Sequence, residues 1–315
     1  MDDSPWNTSE MMIPQALLFA DADFTVVDVV REYTSFVGSF LIVGATAFYF
    51  LLLRPTFMPN MDAMRIAGRS AARIGVAGAL LRLLTIGMTV TSAMLQKQLT
   101  LVAALTSKPS LIVGEIATVI ALFAFASASF AWRAEIRRWA LAGIATLVIA
   151  LQGLVTTKPE RMVNPLHVFA ASMWIGTLFV MVVAGISTAL SGAFATSDRG
   201  TAVALLVKRF TTLALLCTCL LLLTGATTAW LHLGTIEALW TSSYGKTLIV
   251  KLSLVFVVFV IGGYNNLRVK PTLGTQDAAR RLKRTATFEI AVAAIVLIVT
   301  AVLVNLPAPA EHLAH

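Results

Sequence analysis

The feature that most constrains this chain is a repeated pattern: apolar runs of about twenty residues, nearly free of charge, recur between residues 35 and 306. A run of that length crosses a hydrocarbon layer of roughly 30 Å as a helix, and inside such a layer the backbone must satisfy its own hydrogen bonds. The expected fold class is therefore all-α, a polytopic helical membrane protein with about eight transmembrane helices. The predicted spans are residues 35–53, 74–95, 111–132, 139–155, 165–190, 210–230, 247–267 and 285–306. Composition agrees, with 58% hydrophobic and 13% charged residues among 315. The longest connections, about twenty residues, leave no room for a soluble catalytic domain.

Basic residues orient the spans. Alternate connections carry sixteen Lys and Arg on one side and six on the other, the six being Arg31, Lys97, Lys108, Lys158, Arg161 and Lys246. The positive-inside rule puts the larger set in the cytoplasm and both termini outside it. The net charge of +8 is thus a topology signal spread over four short cytoplasmic connections, and no nucleic-acid partner is expected. The first 34 residues hold seven acids and only Arg31, the reverse of a basic-then-apolar signal peptide, so no cleaved targeting segment is expected. The chain divides into an acidic external segment (1–34), a four-span first half (35–156), a four-span second half (157–306) and an external tail (307–315). Within the first segment, residues 15–33 suit a short helix on the membrane surface. Ten of the sixteen acids lie outside, a weakly attractive face for an approaching cation.

Residues 164–178, NPLHVFAASMWIGTL, form the candidate centre. At about 100° per residue His167, Ala170, Ala171, Trp174 and Leu178 share one helix face, and its small alanines allow another helix to come close. His167 and His232 fall near the external ends of consecutive antiparallel helices, where they can meet as metal ligands; each alone reads equally well as a packing histidine. Imidazole suits copper, iron, nickel and zinc alike, whereas thioethers favour copper(I). Met88 and Met94 lie toward the outer end of the second span, and Met162 sits just ahead of the His167 helix. Cys217 and Cys219 point about 200° apart on one helix, which prevents joint chelation and suits packing. Met11 with Met12, and His312 with His315, can catch a metal loosely but read as well as chain ends.

Four ionisable groups lie inside the predicted spans, where each needs a partner or a task. By depth and side, Glu115 is expected to pair with Lys251 in the outer half, and Arg82 with Glu289 in the inner half. The functional alternative is a carboxylate that takes up and releases protons as a cation moves. Tyr244, Trp230 and Trp240 suit an interfacial aromatic belt. Gly245, beside Tyr244, allows a close backbone approach at the external entrance. No GxxxxGK[ST] loop is present, so no nucleotide partner is expected. Two external histidines fall short of the four axial ligands of a diheme cytochrome, although a single heme fits the ligand count.

Several motifs recur in order through the second half: LHVFAASMWIGTL from Leu166, RFTTLALL from Arg209, LLLTGATTAW from Leu221 and TSSYGKTLIVKL from Thr241. The asparagines Asn265 and Asn266, Pro271, RLKRTATFEI from Arg281 and NLPAP from Asn305 continue the series. Together they resemble the CopD family of bacterial inner-membrane copper proteins. That resemblance implies a multi-pass protein of the inner membrane that handles copper in uptake or tolerance, with a separate periplasmic copper-binding partner of the CopC type. By position, His167, Trp174, Arg209, Tyr244, Gly245, Lys251 and Glu289 match the family's recurrent polar and aromatic positions.

The expectation is a copper permease rather than an enzyme. Copper delivered outside is held between His167 and His232 with help from a methionine, then passed inward between helices. Each positive charge moved toward a negative interior gains about 2.3 kcal/mol per 100 mV, so import needs no ATP. Two alternatives stand beside it: a single-heme redox protein acting on copper or a quinone, and a scaffold that docks a periplasmic copper carrier through Trp240 and Tyr244.

Overall fold

A computed structural model describes residues 24–98, 100–106, 109–130, 136–155 and 163–309. Eight long helices account for most of them: α1 Val26–Phe57, α2 Met61–Lys97, α3 Pro109–Phe130, α4 Ile136–Val155, α5 Val163–Leu190, α6 Arg199–Leu233, α7 Ser243–Tyr264 and α8 Gln276–Leu303. Seven of these, all but α4, are long and apolar enough to cross a membrane, α7 together with the turns that extend it to Thr272. The 20-residue α4 lies antiparallel on α3: a side chain at Gly114 would strike Gln152 at one end, and Arg138 donates to the Ser127 carbonyl at the other. The protein is a multi-pass, all-helical membrane protein.

The helices run longer than the predicted spans because hydropathy loses a helix once it leaves the hydrocarbon, whereas capping does not. Thr25 and Asp28 close a capping box at the start of α1, with Arg31 ion-paired to Asp28 at 2.9 Å. Residues 26–34, expected in a separate external segment, are therefore the first turns of α1. Asn60 caps α2 and also donates to the Ala193 carbonyl at 2.9 Å, which ties two cytoplasmic connections together. Thr275 caps α8, and its first turns carry Arg280, Arg281, Lys283 and Arg284 out of the hydrocarbon.

α1 sits at the centre, packed on α2, α5 and α8. Lipid tails are as apolar as leucine, so helices associate here through close packing rather than through a hydrophobic drive. The tightest crossing joins α1 to α5 at Gly44 and Gly176, where a Cβ on either glycine would collide with the other helix's backbone. The predicted face of α5 is the buried one, with Ala170, Trp174 and Leu178 all under 10% exposed. The point of contact with α1 is Gly176, opposite that stripe, rather than an alanine on it, and α5 also passes through π-helical turns at Ser172–Gly176 and Met181–Ile186. On the other side of α1, Tyr49 stacks on Trp139 of α4 with ring centres 4.0 Å apart and planes 3° from parallel.

Candidate functional site

The outer site begins with two histidines whose rings are each held by one nitrogen. Pro165 lies in the first turn of α5, where its missing N–H costs nothing, and one turn of chain brings His167 against α6. His167 Nδ1 is 3.0 Å from Thr224 Oγ1, and the Thr224 hydroxyl gives its single proton to the Leu220 carbonyl at 2.7 Å. Thr224 must then accept from Nδ1–H, which leaves the Nε2 lone pair of His167 available to a cation. Gly225 makes the room, since a Cβ there would stand 3.2 Å from His167 Cε1. His232 follows the same logic: Nδ1 donates to the Thr228 carbonyl at 2.8 Å, and the ring stacks on Tyr244 at 5.8 Å.

The two imidazoles do not share one ligand shell. Thr224, the partner of His167, lies eight residues before His232 on α6, an axial offset of about 12 Å at 1.5 Å per residue. That offset sets the two rings at different depths along α6. Of the methionines, Met162 lies outside the described residues. Met88 and Met94 belong to α2, which packs on α1 and α3 and meets α5 chiefly at the inner end. Cys217 is buried and Cys219 exposed, as opposite faces of α6 require. Among the described residues no three His, Cys, Asp or Glu side chains converge as a metal cluster.

Both expected ion pairs are absent among the described residues. Arg82 instead donates from Nη1 to Ser39 at 2.8 Å and from Nε toward Thr118 at 3.4 Å, so α1 and α3 absorb it before α8 is reached. Glu115 stays on α3, which packs with α2 and α4, while Lys251 stands on α7 beside α8. Equal depth did not make them neighbours. Lys251 lies within electrostatic range of His167 and makes no hydrogen bond or ion pair to a described residue. Tyr244 is 6% exposed, packed with Leu248, Leu303 and Leu306 rather than in a belt, whereas Trp230 and Trp240 are both over 60% exposed. Gly245 does serve a close approach, its α-carbon facing the Ala238 and Leu239 carbonyls.

Further in, α5–α8 line a half-open cavity of about 250 Å³, bounded by Trp174, Met181, Phe259, Asn265, Asn266 and Glu289 among others. Glu289 is 4% exposed. Asn265 Nδ2 donates to its Oε2 at 3.3 Å, and Thr285 donates to Asn265 Oδ1 at 2.6 Å, so the hydroxyl turns the amide toward the carboxylate. Oε1 has no hydrogen-bond partner among the described residues. Trp174 and Phe259, both lining the cavity, stack with ring centres 5.5 Å apart. Met181, Phe259, Thr224 and Thr285 were not singled out from the sequence, where each reads as an ordinary span residue.

These features define a membrane protein whose second half holds an oriented imidazole on α5 and, separately, a buried carboxylate in a cavity lined by α5–α8. The family model described as "Copper resistance protein D" (CopD) matches residues 204–303, from within α6 to the end of α8. The copper transport protein CutJ of Bacillus subtilis (strain 168) is 29% identical over 146 residues, which cover 46% of this chain. That stretch spans 25% of CutJ, so the chain matches about a quarter of the length of this curated relative. No solved structure matches. The second half of the chain is CopD-like, as its motifs indicated.

Proposed function

We propose that this protein transports copper inward across the bacterial inner membrane, with His232 and His167 as successive outer stations. The observation that carries the reading is the His167 ring, fixed so that Nε2 is left for a cation by Thr224, a residue of the CopD-like segment. A metal-binding histidine characteristically has its other nitrogen tied down in this way. The 12 Å offset between the histidines suits hand-over from one to the next rather than a single tight cage. Lys251, the cation in range of His167, raises the energy of a copper ion held there. Conduction needs binding weak enough to release, and a nearby positive charge provides that. Copper arrives on the external face, carried by a separate CopC-type protein, and the membrane potential favours its entry. The reading is a transporter rather than an enzyme, with copper as cargo.

The test is cell-associated copper in a host lacking its own importers, at matched membrane expression. Wild type should raise cellular copper, and His167→Ala and His232→Ala should each abolish the rise. Unchanged or lowered copper with wild type would overturn import.

A further inference from the structure

The cavity of α5–α8 holds a carboxylate that no described cation neutralises. Glu289 is 4% exposed within a membrane-spanning helix, its Oε2 is held by Asn265 and its Oε1 has no described partner. A carboxylate in that setting is costly unless it meets a positive charge or a proton. Of the described basic groups at the start of α8, Lys283 donates to Ser187 at 3.0 Å and Arg280 pairs with Asp277 at 3.6 Å, and neither Arg281 nor Arg284 makes an ion pair with Glu289. The Thr285–Asn265–Glu289 chain of hydrogen bonds positions this group rather than neutralising it. Across the cavity stands Met181, 2% exposed, a soft thioether on α5.

We infer that this cavity is an inner station for the cargo, a copper(I) site in which Glu289 supplies the counter-charge and Met181 the soft donor. The inference rests on the copper-transport reading and deepens it. Size decides what kind of site this is. A volume of about 250 Å³ equals roughly eight water molecules at about 30 Å³ each, far more than a bare ion needs. The ion is therefore held by one carboxylate and one thioether with room for part of its hydration shell, which makes a weak site suited to release. Thioether ligation selects copper(I) over harder cations of the same charge. Trp174 and Phe259, stacked at 5.5 Å, both line the cavity, so an ion held there lies beside an indole whose emission can report it. The exposed Asn266 lies at the cavity rim with its side chain bonded to Lys270, the cytoplasmic way out.

The test uses the full chain in detergent, titrated with copper(I) under a competing chelator and with silver(I) as a redox-inert analogue. Glu289→Gln keeps the side chain's shape and Met181→Leu its volume, so both variants should fold. Binding stoichiometry and affinity are read together with the silver-induced change in Trp174 emission, isolated by comparison with Trp174→Phe. Glu289→Gln should weaken inner binding at least tenfold and remove the Trp174 response, Met181→Leu should weaken it less, and Glu289→Asp should restore part of both. His167→Ala should leave the Trp174 response in place. If wild type binds copper(I) but Glu289→Gln and Met181→Leu match it in affinity and emission, the inner station is wrong while the transport reading stands. If wild type binds no copper(I), the transport reading falls and takes this site with it.

Discussion

The two halves of the molecule treat buried polar groups in opposite ways. In α1–α4 the half-buried in-span arginine finds neutral partners: Arg82 donates to Ser39, Thr46 meets Thr146 at 2.9 Å across α1 and α4, and aromatic rings fill the space around Trp139. In α5–α8 Lys251 lacks a described hydrogen-bond partner, and Glu289 keeps one oxygen uncommitted beside a cavity. The bilayer charges both halves alike for a buried ion. The first half has spent most of its polar groups on itself, Glu115 and the Tyr49 hydroxyl excepted, and reads as a scaffold. The second holds groups in reserve for something that moves, and the CopD match falls on it.

The strongest way to break this comparison is at the joint between the halves. Gly44→Val or Gly176→Val forces a side chain into the opposing backbone where α1 and α5 touch. Overpacking of this kind costs about 1–3 kcal/mol and more when backbone is struck, so little folded protein should survive. Size-exclusion profiles and thermal melts in detergent report it; a wild-type melting curve would mean the halves are not locked at this crossing. The next test sets one half against the other. Arg82→Met removes hydrogen bonds to a half-buried charge and should lower stability by about 1.5–3 kcal/mol, with copper uptake per folded molecule unchanged. Lys251→Met should do the reverse: stability equal to or above wild type, because an unpartnered buried charge is gone, and uptake altered severalfold. Uptake lost in the first variant and kept in the second would invert the assignment of scaffold and route. A smaller effect is expected from Thr224→Val, which deletes the acceptor of His167 Nδ1. Loss of such a supporting partner weakens metal binding about 10–100-fold while costing only about 1 kcal/mol of stability, a split that affinity and melting measurements on one sample resolve.

How much of this was legible in the sequence depends on the property each signal measures. Apolar periodicity reports burial in lipid, so the spans and the buried face of α5 were readable, while helix ends such as Val26 and Met61 depended on the caps at Thr25 and Asn60. Depth along a span was readable too; which helix lies beside which was not. Glu115 and Lys251 share a depth but stand on helices that pack elsewhere, and Arg82 is intercepted by Ser39 before it reaches Glu289. His167 was visible as a histidine in an apolar run, yet its orientation hangs on Thr224, fifty-seven positions away in the chain. The cavity escaped notice because Trp174, Met181 and Phe259 are residues that any packed core uses. The π-helical turns of α5 left no composition signal at all.

The smallest predicted effect tests the scaffold on its own terms. Tyr49 is 1% exposed, and its hydroxyl is buried with no hydrogen-bond partner among the described residues, while its ring stacks on Trp139 and meets Phe50 edge-on at 5.2 Å. The ring therefore supplies the stabilisation and the hydroxyl opposes it, since an unbonded buried hydroxyl costs about 1–3 kcal/mol by mutational measure. Tyr49→Phe keeps the stack and removes the cost. Its expected result is a stability unchanged or raised by up to about 1 kcal/mol, with unaltered copper uptake, read as a melting shift followed through tryptophan emission. A loss of stability would mean that the hydroxyl is bonded after all, and that the first half, like the second, keeps a polar contact beyond its own side chains.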